Sequence, residues 1–274
     1  MKEEIHNICR EYGIENYTIN KDGRIDVDGH VDLSWKDLER IPVKFREVTG
    51  DFYCPYNKLT SLKGCPKRVG GHFYCHNNEL TSLEGCPKTV GGDFRCNNNN
   101  LTSLKGGPKT VGGDFGCYEN NLTSLEDCPE RVGRHFYCSH NKLISLEGGP
   151  KRVGGGFSCY DNNLTSLEGC PEKVDGYFNC HNNRLNSLEG CPKRVGGHFY
   201  CHNNKLTSLE GCPKRVGGDF YCDSNNLTSL VGGPETVGGH FYCGNNNLPK
   251  HIIDNPIAEL QRIHRNNKLK ILLD

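Results

Sequence analysis

Ten leucines, from Leu59 through Leu80 and Leu101 to Leu248, stand 21 residues apart with no insertion or deletion between them. A strict period of this length lays every turn of chain on a copy of itself, so like positions form ladders along a stack. The unit reads L-T-S-L-x-G-C-P-x-x-V-G-G-x-F-x-C-x-x-N-x, as in Leu80 to Asn100. In F-x-C, Phe and Cys face one way and the residue between them the other, the period-two signature of a strand. One strand per turn, always in the same direction, predicts one parallel β-sheet. The return path has no 3.6-residue pattern and is expected to be mostly non-helical. Its Pro and Gly-Gly mark corners where φ is fixed or positive.

Each turn offers two Leu, one Val, one Phe and one Cys to an interior. At about 1.5–3 kcal/mol per large buried apolar side chain, a single turn does not offset the entropy of ordering itself. The chain is therefore stable only as an array of turns.

The ends depart from the repeat. Residues 2–12 predict an amphipathic helix with Ile5, Ile8, Cys9 and Tyr12 on one side and Gly13 at its end. Tyr17-Thr18-Ile19 and Ile25-Asp26-Val27 flank Asn20-Lys21-Asp22-Gly23, a hairpin signal. Val31 and Leu33 are in register with Phe52 and Cys54, so one degenerate turn precedes the regular ones, with Lys36 at the position of Asn57. After Leu248 the pattern stops, and Asn255-Pro256 starts a helix that carries Ile257, Leu260 and Ile263. The expected organisation is an N-terminal cap over 1–30, a solenoid over 31–248 and a C-terminal helical cap over 249–274.

The segment V-G-G-x-F-x-C-x-x-N-x-L resembles the leucine-rich-repeat signature L-x-x-L-x-L-x-x-N-x-L over Val31 to Leu248, with one extra residue before the strand. The resemblance implies a leucine-rich-repeat-like solenoid of stacked 21-residue turns. It puts Asn57, Asn78, Asn99, Asn120, Asn141, Asn162, Asn183, Asn204, Asn225 and Asn246 at the signature Asn, whose side chain turns inward and bonds backbone of adjacent turns. Asn suits that place because it both donates and accepts. The short unit with P-x-x-V, together with the N-terminal hairpin, resembles bacteriophage-encoded 21-residue-repeat proteins. That resemblance implies a host protein as partner, including a host defence protein.

Charge and cysteine usage narrow the function. Lys+Arg and Asp+Glu both number 33, which argues against a nucleic-acid or membrane binder driven by bulk charge. The 17 cysteines are an odd number and do not all pair within one chain. MKEEIHNICREYGI has no apolar run of the signal-peptide kind, so the expected location is the cytoplasm (of the host cell, if phage-encoded), with reduced thiols. No C-x-x-C occurs, and the second cysteine series gives way to Gly107, Gly149 and Gly233; these cysteines read as small buried hydrophobes rather than metal ligands. Inter-turn disulfides are a disfavoured alternative. Ser at the third repeat position and the Gly-Gly pairs recur throughout and mark structure, not a nucleophile or phosphate loop. No catalytic residue, cofactor or metal site is expected.

What varies between turns is the outward side of the strands, the usual binding face of repeat proteins. Three outward ladders flank Phe and Cys, rich in Tyr, His and Asp, with little Lys or Glu, a composition that suits interfaces. The candidate partner-binding residues of this concave face are His72, Tyr74, His76, Arg95, Tyr118 and Tyr137, then Tyr160, Tyr177, His198, Tyr200 and His202, then Asp219, Tyr221, Asp223, His240 and Tyr242. Tyr200, Tyr221 and Tyr242 form the expected main patch. Tyr also has high strand propensity and stacks well across a sheet, which explains part of the enrichment without function. The alternation of Asp51, His72 and Asp93 reads better as a mixed-charge ladder than as a pH switch or metal site. A protein partner is therefore expected. The alternative is nucleic acid along the Lys/Arg corner stripe of P-x-x-V, which a neighbouring row of Glu opposes.

Overall fold

Phe73 and Phe94 stack with ring centroids 5.6 Å apart and 9° between planes, and both are fully buried. Repetition of this contact along the strand Phe residues forms the spine of the fold. The computed structural model describes residues 2–273, with side chains through Leu269. It contains two compact units, one of residues up to Asn141 with Gly148–Pro150, the other of Lys142–Glu147 with the chain from Lys151 onward.

In the first unit, the strands Val31–Asp32, Phe52–Tyr53, Phe73–Tyr74, Phe94–Arg95, Phe115–Gly116 and Phe136–Tyr137 pair in parallel. The register is one whole repeat, Phe73 opposite Phe94. Phe45 starts the ring stack by meeting Phe52 edge-on at 5.0 Å. A second parallel ladder runs through the return path: Ile25–Val27, Phe45–Val48, Arg68–Val69, Thr89–Val90, Thr110–Val111 and Arg131–Val132. Its valines point into the core and its Arg and Thr out. Two residues per strand are too few for an alternation to be read from sequence, so the predicted single sheet is joined by this second one.

Tyr17–Ile19 pairs antiparallel with Ile25–Val27, Tyr17 opposite Val27, and so extends the second ladder. Helix α1 (Lys2–Glu11) buries Ile5 and Cys9, while Ile8 and Tyr12 stay half-buried. Its His6 Nδ1 lies 2.6 Å from the Tyr17 hydroxyl.

The second unit repeats the plan with Phe157–Ser158, Phe178–Asn179, Phe199–Tyr200, Phe220–Tyr221 and Phe241–Tyr242. Its return ladder is Arg152–Val153, Lys173–Val174, Arg194–Val195, Arg215–Val216 and Thr236–Val237. Two helices follow, α2 (Lys250–Asp254) and α3 (Pro256–Leu273). Ile252, Leu260 and Ile263 are buried, whereas Ile257 is exposed. Leu260 reaches Gly233: a Cβ there would stand 2.5 Å from its Cδ2. Gly233 replaces the cysteine of the regular turn, and the space it leaves is where α3 docks. His264 Nε2 lies 3.0 Å from the Pro234 carbonyl oxygen beside it.

The Asn ladder holds adjacent turns together. Asn78 Nδ2 donates to the carbonyl oxygens of Cys54, one turn earlier, and of Cys75 and His76 in its own turn. Its Oδ1 accepts the Leu59 N–H at 3.0 Å. Asn204 does the same with Cys180, Cys201, His202 and Leu185. Each Asn thereby satisfies backbone groups that the bend removes from water.

Positive φ does not fall on the Gly-Gly pair, as the pattern predicts, but on the Gly of G-C-P: Gly85 has φ 94° and Gly211 φ 83°. The Gly-Gly pair has another cause. A Cβ on Gly91 would collide with the carbonyl oxygen of Gly70, and one on Gly217 with that of Gly196. The turns approach so closely there that only hydrogen fits.

Candidate functional site

Several Asp and His residues that precede a strand Phe, expected as part of a binding-face ladder, have a structural duty. Asp51 Oδ1 accepts the His72 N–H at 2.6 Å, His72 Nδ1 accepts the Asp93 N–H at 2.9 Å, and Asp93 Oδ1 accepts the Asp114 N–H at 2.8 Å. In the second unit His198 Nδ1 accepts from Asp219 N–H and Asp219 Oδ1 from His240 N–H. Asp and His thus serve as acceptors for the next turn's backbone. The same Asp residues lie near histidines as potential ion-pair partners, His72–Asp93 at 3.5 Å and His198–Asp219 at 3.3 Å. The His240 N–H on Asp219, with the Tyr221 hydroxyl and flanking histidines, holds that carboxyl below the usual carboxylate range.

Two predicted tyrosines lie down on the sheet. The Tyr177 ring covers Gly156, where a Cβ would come within 2.5 Å of it, and Tyr118 lies against Gly116. Tyr137 is within ring contact of His135 at 5.8 Å. These three tyrosines are half-buried.

The remaining predicted residues form one cluster in each unit. In the first, Tyr53 and Tyr74 lie 5.0 Å apart, and His72 and His76 flank Tyr74 at 5.6 and 5.8 Å. The Arg95 guanidinium caps the Tyr74 ring, 5.0 Å from its centroid. Arg95 also lies 3.9 Å from the Asp93 carboxylate, which accepts from the Tyr74 hydroxyl at 3.4 Å. Burial lowers the pKa of His76, assisted by the Arg95 charge.

The second unit presents two rows of rings side by side. Tyr160, His181 and His202 stack at 4.6 and 4.4 Å. Tyr200, Tyr221 and Tyr242 stack at 4.8 and 4.6 Å with 13° and 12° between planes. Tyr200 and Tyr221 are half-buried, and Tyr242 at the end of the row is 43% exposed. Burial and the Asp219 carboxylate push Tyr221 up to about 12, so its hydroxyl stays a donor, to Asp219 at 3.2 Å. Burial lowers the pKa of His202 against the opposing pull of Asp223. The end of the row opens into a recess of about 670 Å³ bordered by Tyr200, His202, Tyr221, Asp223, Phe241, Tyr242, Cys243, Gly244 and Ile253. The predicted patch is thus brought together, with Ile253 of α2 added as a wall.

Sequence reasoning missed one exposed feature. Trp35, 72% exposed, stacks on Tyr56 at 3.9 Å and 8°. Both have positive φ, 58° and 55°, at a position that most later turns fill with Asn, Asp or Ser. Bulky residues rarely adopt this conformation. The signal was available: the one Trp of the chain stands where the repeat carries a small polar residue.

Burial pushes the thiols of Cys86, Cys128 and Cys212 up to about 12. Among the described residues, no group of three or more His, Cys, Asp or Glu is placed to hold a metal ion. No helix among them is long and apolar enough to cross a membrane.

Two residues of the corner stripe, Lys67 and Lys88, line a separate recess of about 790 Å³ in the first unit, with Arg24, Lys44 and Lys63 from outside the stripe and the acids Asp22 and Glu84. Lys88 is partly occupied, donating to the Gly106 carbonyl at 3.0 Å.

No protein-family model matches the chain, and no curated protein matches it by sequence. Among solved structures, the fold is similar to that of YopM from Yersinia enterocolitica WA-314, with a TM-score of 0.56 and 17% identity over 90% of this chain. The chain spans 65% of the length of that structure's chain. At this identity the likeness is one of architecture: stacked turns of about 21 residues, parallel sheets and few helices make the fold a leucine-rich-repeat-like solenoid.

Proposed function

We propose that the chain is a non-enzymatic protein-binding scaffold whose outward Tyr/His/Asp sheet face takes the partner. Leucine-rich-repeat-like solenoids commonly serve as such scaffolds. The observation that carries the reading is the Tyr200–Tyr221–Tyr242 row: three near-parallel rings, the last of them exposed, ending in an open recess. Stacked tyrosines give a partner a rigid apolar surface with polar tips at little cost in side-chain entropy. The resemblance to phage-encoded repeats supports a host protein, including a host defence protein, as that partner, met in the host cytoplasm. The test is capture of a partner from host lysate by wild type and by Tyr221→Glu. The reading expects capture to fall about ten-fold or more; undiminished capture removes this face as the interface.

A second reading, nucleic-acid binding, is favoured by the five cations around the corner recess. Phosphate binding through such a cluster predicts retention on heparin that falls steeply with salt. Flow-through at low salt overturns it.

A further inference from the structure

We propose that the recess at the end of the tyrosine row receives an arginine side chain of a protein partner, its guanidinium flat on Tyr242 and its charge facing Asp223. The inference rests on the scaffold reading and names the chemistry of the contact.

The first unit contains the pattern in closed form. There the Tyr53–Tyr74 pair is followed by Arg95, whose guanidinium covers the free face of Tyr74 at 5.0 Å with the Asp93 carboxylate 3.9 Å away. The chain itself supplies the cation. In the second unit the same column runs Tyr200, Tyr221, Tyr242 and then stops, because the next residue in register, Ile263, belongs to helix α3 and is buried. Tyr242 therefore ends the row without the cap that Tyr74 has, and it is the most exposed of the three.

The surroundings suit a cation of this shape. Asp223 lines the recess, and its lining residues include no Lys or Arg. Within hydrogen-bond range Asp223 meets only the Ser224 hydroxyl, at 3.5 Å, among the side-chain bonds described for it. Burial of His202, on the same wall, lowers its pKa and disfavours a competing cation there. Gly244 follows Asp223 in its ladder, and a Cβ there would meet nothing within 4 Å, so the space beside the carboxylate is open. Ile253 and the Tyr242 ring supply apolar walls for a methylene stem. The volume lies within the range of roughly 300–1,000 Å³ that takes small ligand groups. A planar guanidinium stacks on an aromatic face and bonds a carboxylate together, which a lysine ammonium does less well. The carboxylate comes from the rung before the terminal Tyr rather than the rung after it, as in the first unit, so the bound arginine would lean toward the strand Cys side.

The test uses the full chain with isoleucine methyl groups labelled for NMR, titrated with Nα-acetyl-arginine amide and, separately, with Nα-acetyl-citrulline amide. Citrulline keeps the shape and loses the charge. The expected result is a saturable shift of the Ile253 methyl with the arginine probe, and binding at least five-fold weaker with citrulline. Asp223→Asn is expected to weaken the arginine probe by five-fold or more while the other isoleucine signals stay in place. A lysine amide probe is expected to bind more weakly than arginine. Equal response to arginine and citrulline, tighter binding of lysine, or an unchanged affinity in Asp223→Asn overturns the proposal. Failure of the probe, with Tyr221→Glu still abolishing partner capture, sinks the arginine site and leaves the scaffold reading standing. A bound probe with capture unaffected by Tyr221→Glu does the reverse.

Discussion

Asp93 and Asp114, both buried, are joined by a hydrogen bond in which the side chain of the first accepts the backbone N–H of the second at 2.8 Å. Asp93→Ala leaves that N–H without an acceptor in a place water does not reach. A buried unsatisfied donor costs about 1–3 kcal/mol, so a loss of unfolding free energy of that size in urea titration is expected, with Asp93→Asn retaining most of the stability. Equal stability of the alanine and wild-type chains contradicts the acceptor role.

Acid is expected to weaken the fold through His76 and His202. Burial is the leading cause that lowers both pKa values, so the unfolded chain binds these protons first. Stability is then fully present above the unfolded value, about 6.5, and is lost as pH falls from there through the lower folded values. Urea midpoints measured at about pH 7.5 and pH 5.5 should show the drop, and His76→Asn combined with His202→Asn should reduce it. A drop of the same size in the double variant assigns it to other groups.

Gly233→Cys restores the residue that the regular turn carries, yet it is expected to destabilise. Its Cβ would stand 2.5 Å from Leu260 Cδ2 and 2.9 Å from the Leu230 carbonyl oxygen. Overpacking of this kind costs about 1–3 kcal/mol, and the loss should appear as faster amide exchange in α3 than in the strands. Unchanged exchange in α3 means the helix does not depend on that space.

The thiols of Cys86, Cys128 and Cys212, raised to about 12 by burial, are expected to react slowly with Ellman's reagent at neutral pH. Reactivity follows the thiolate, so addition of urea should release all 17 thiols at the unfolding midpoint. Fast reaction of the native chain refutes the buried-thiol picture.

The Phe, Cys, Leu and Asn ladders were legible in the sequence because each is set within one turn and then copied. The reason for Gly91 was not: its neighbour is the Gly70 carbonyl, and a clash between turns leaves no local pattern. The same holds for His72, whose ring accepts from Asp93; its identity suggested a surface role, while its bond lies in the next turn. Val69 and Val90 were legible as core, but two-residue strands hid the second ladder. The tyrosine row was legible as an outward column. The recess was not, because Ile253 enters it from a helix outside the repeat.

Asn78 bonds to its own turn and the two turns that touch it, and the Phe73 ring stacks on the rings before and after it, Phe52 and Phe94. An excised single residue would misplace every such partner in that turn. Removal of one complete unit, residues 80–100, would instead hand each broken Asn and Phe ladder contact an equivalent group 21 positions along. The chain is thus built so that its length is adjustable in whole steps, by gain or loss of a unit, with no new ladder contact invented.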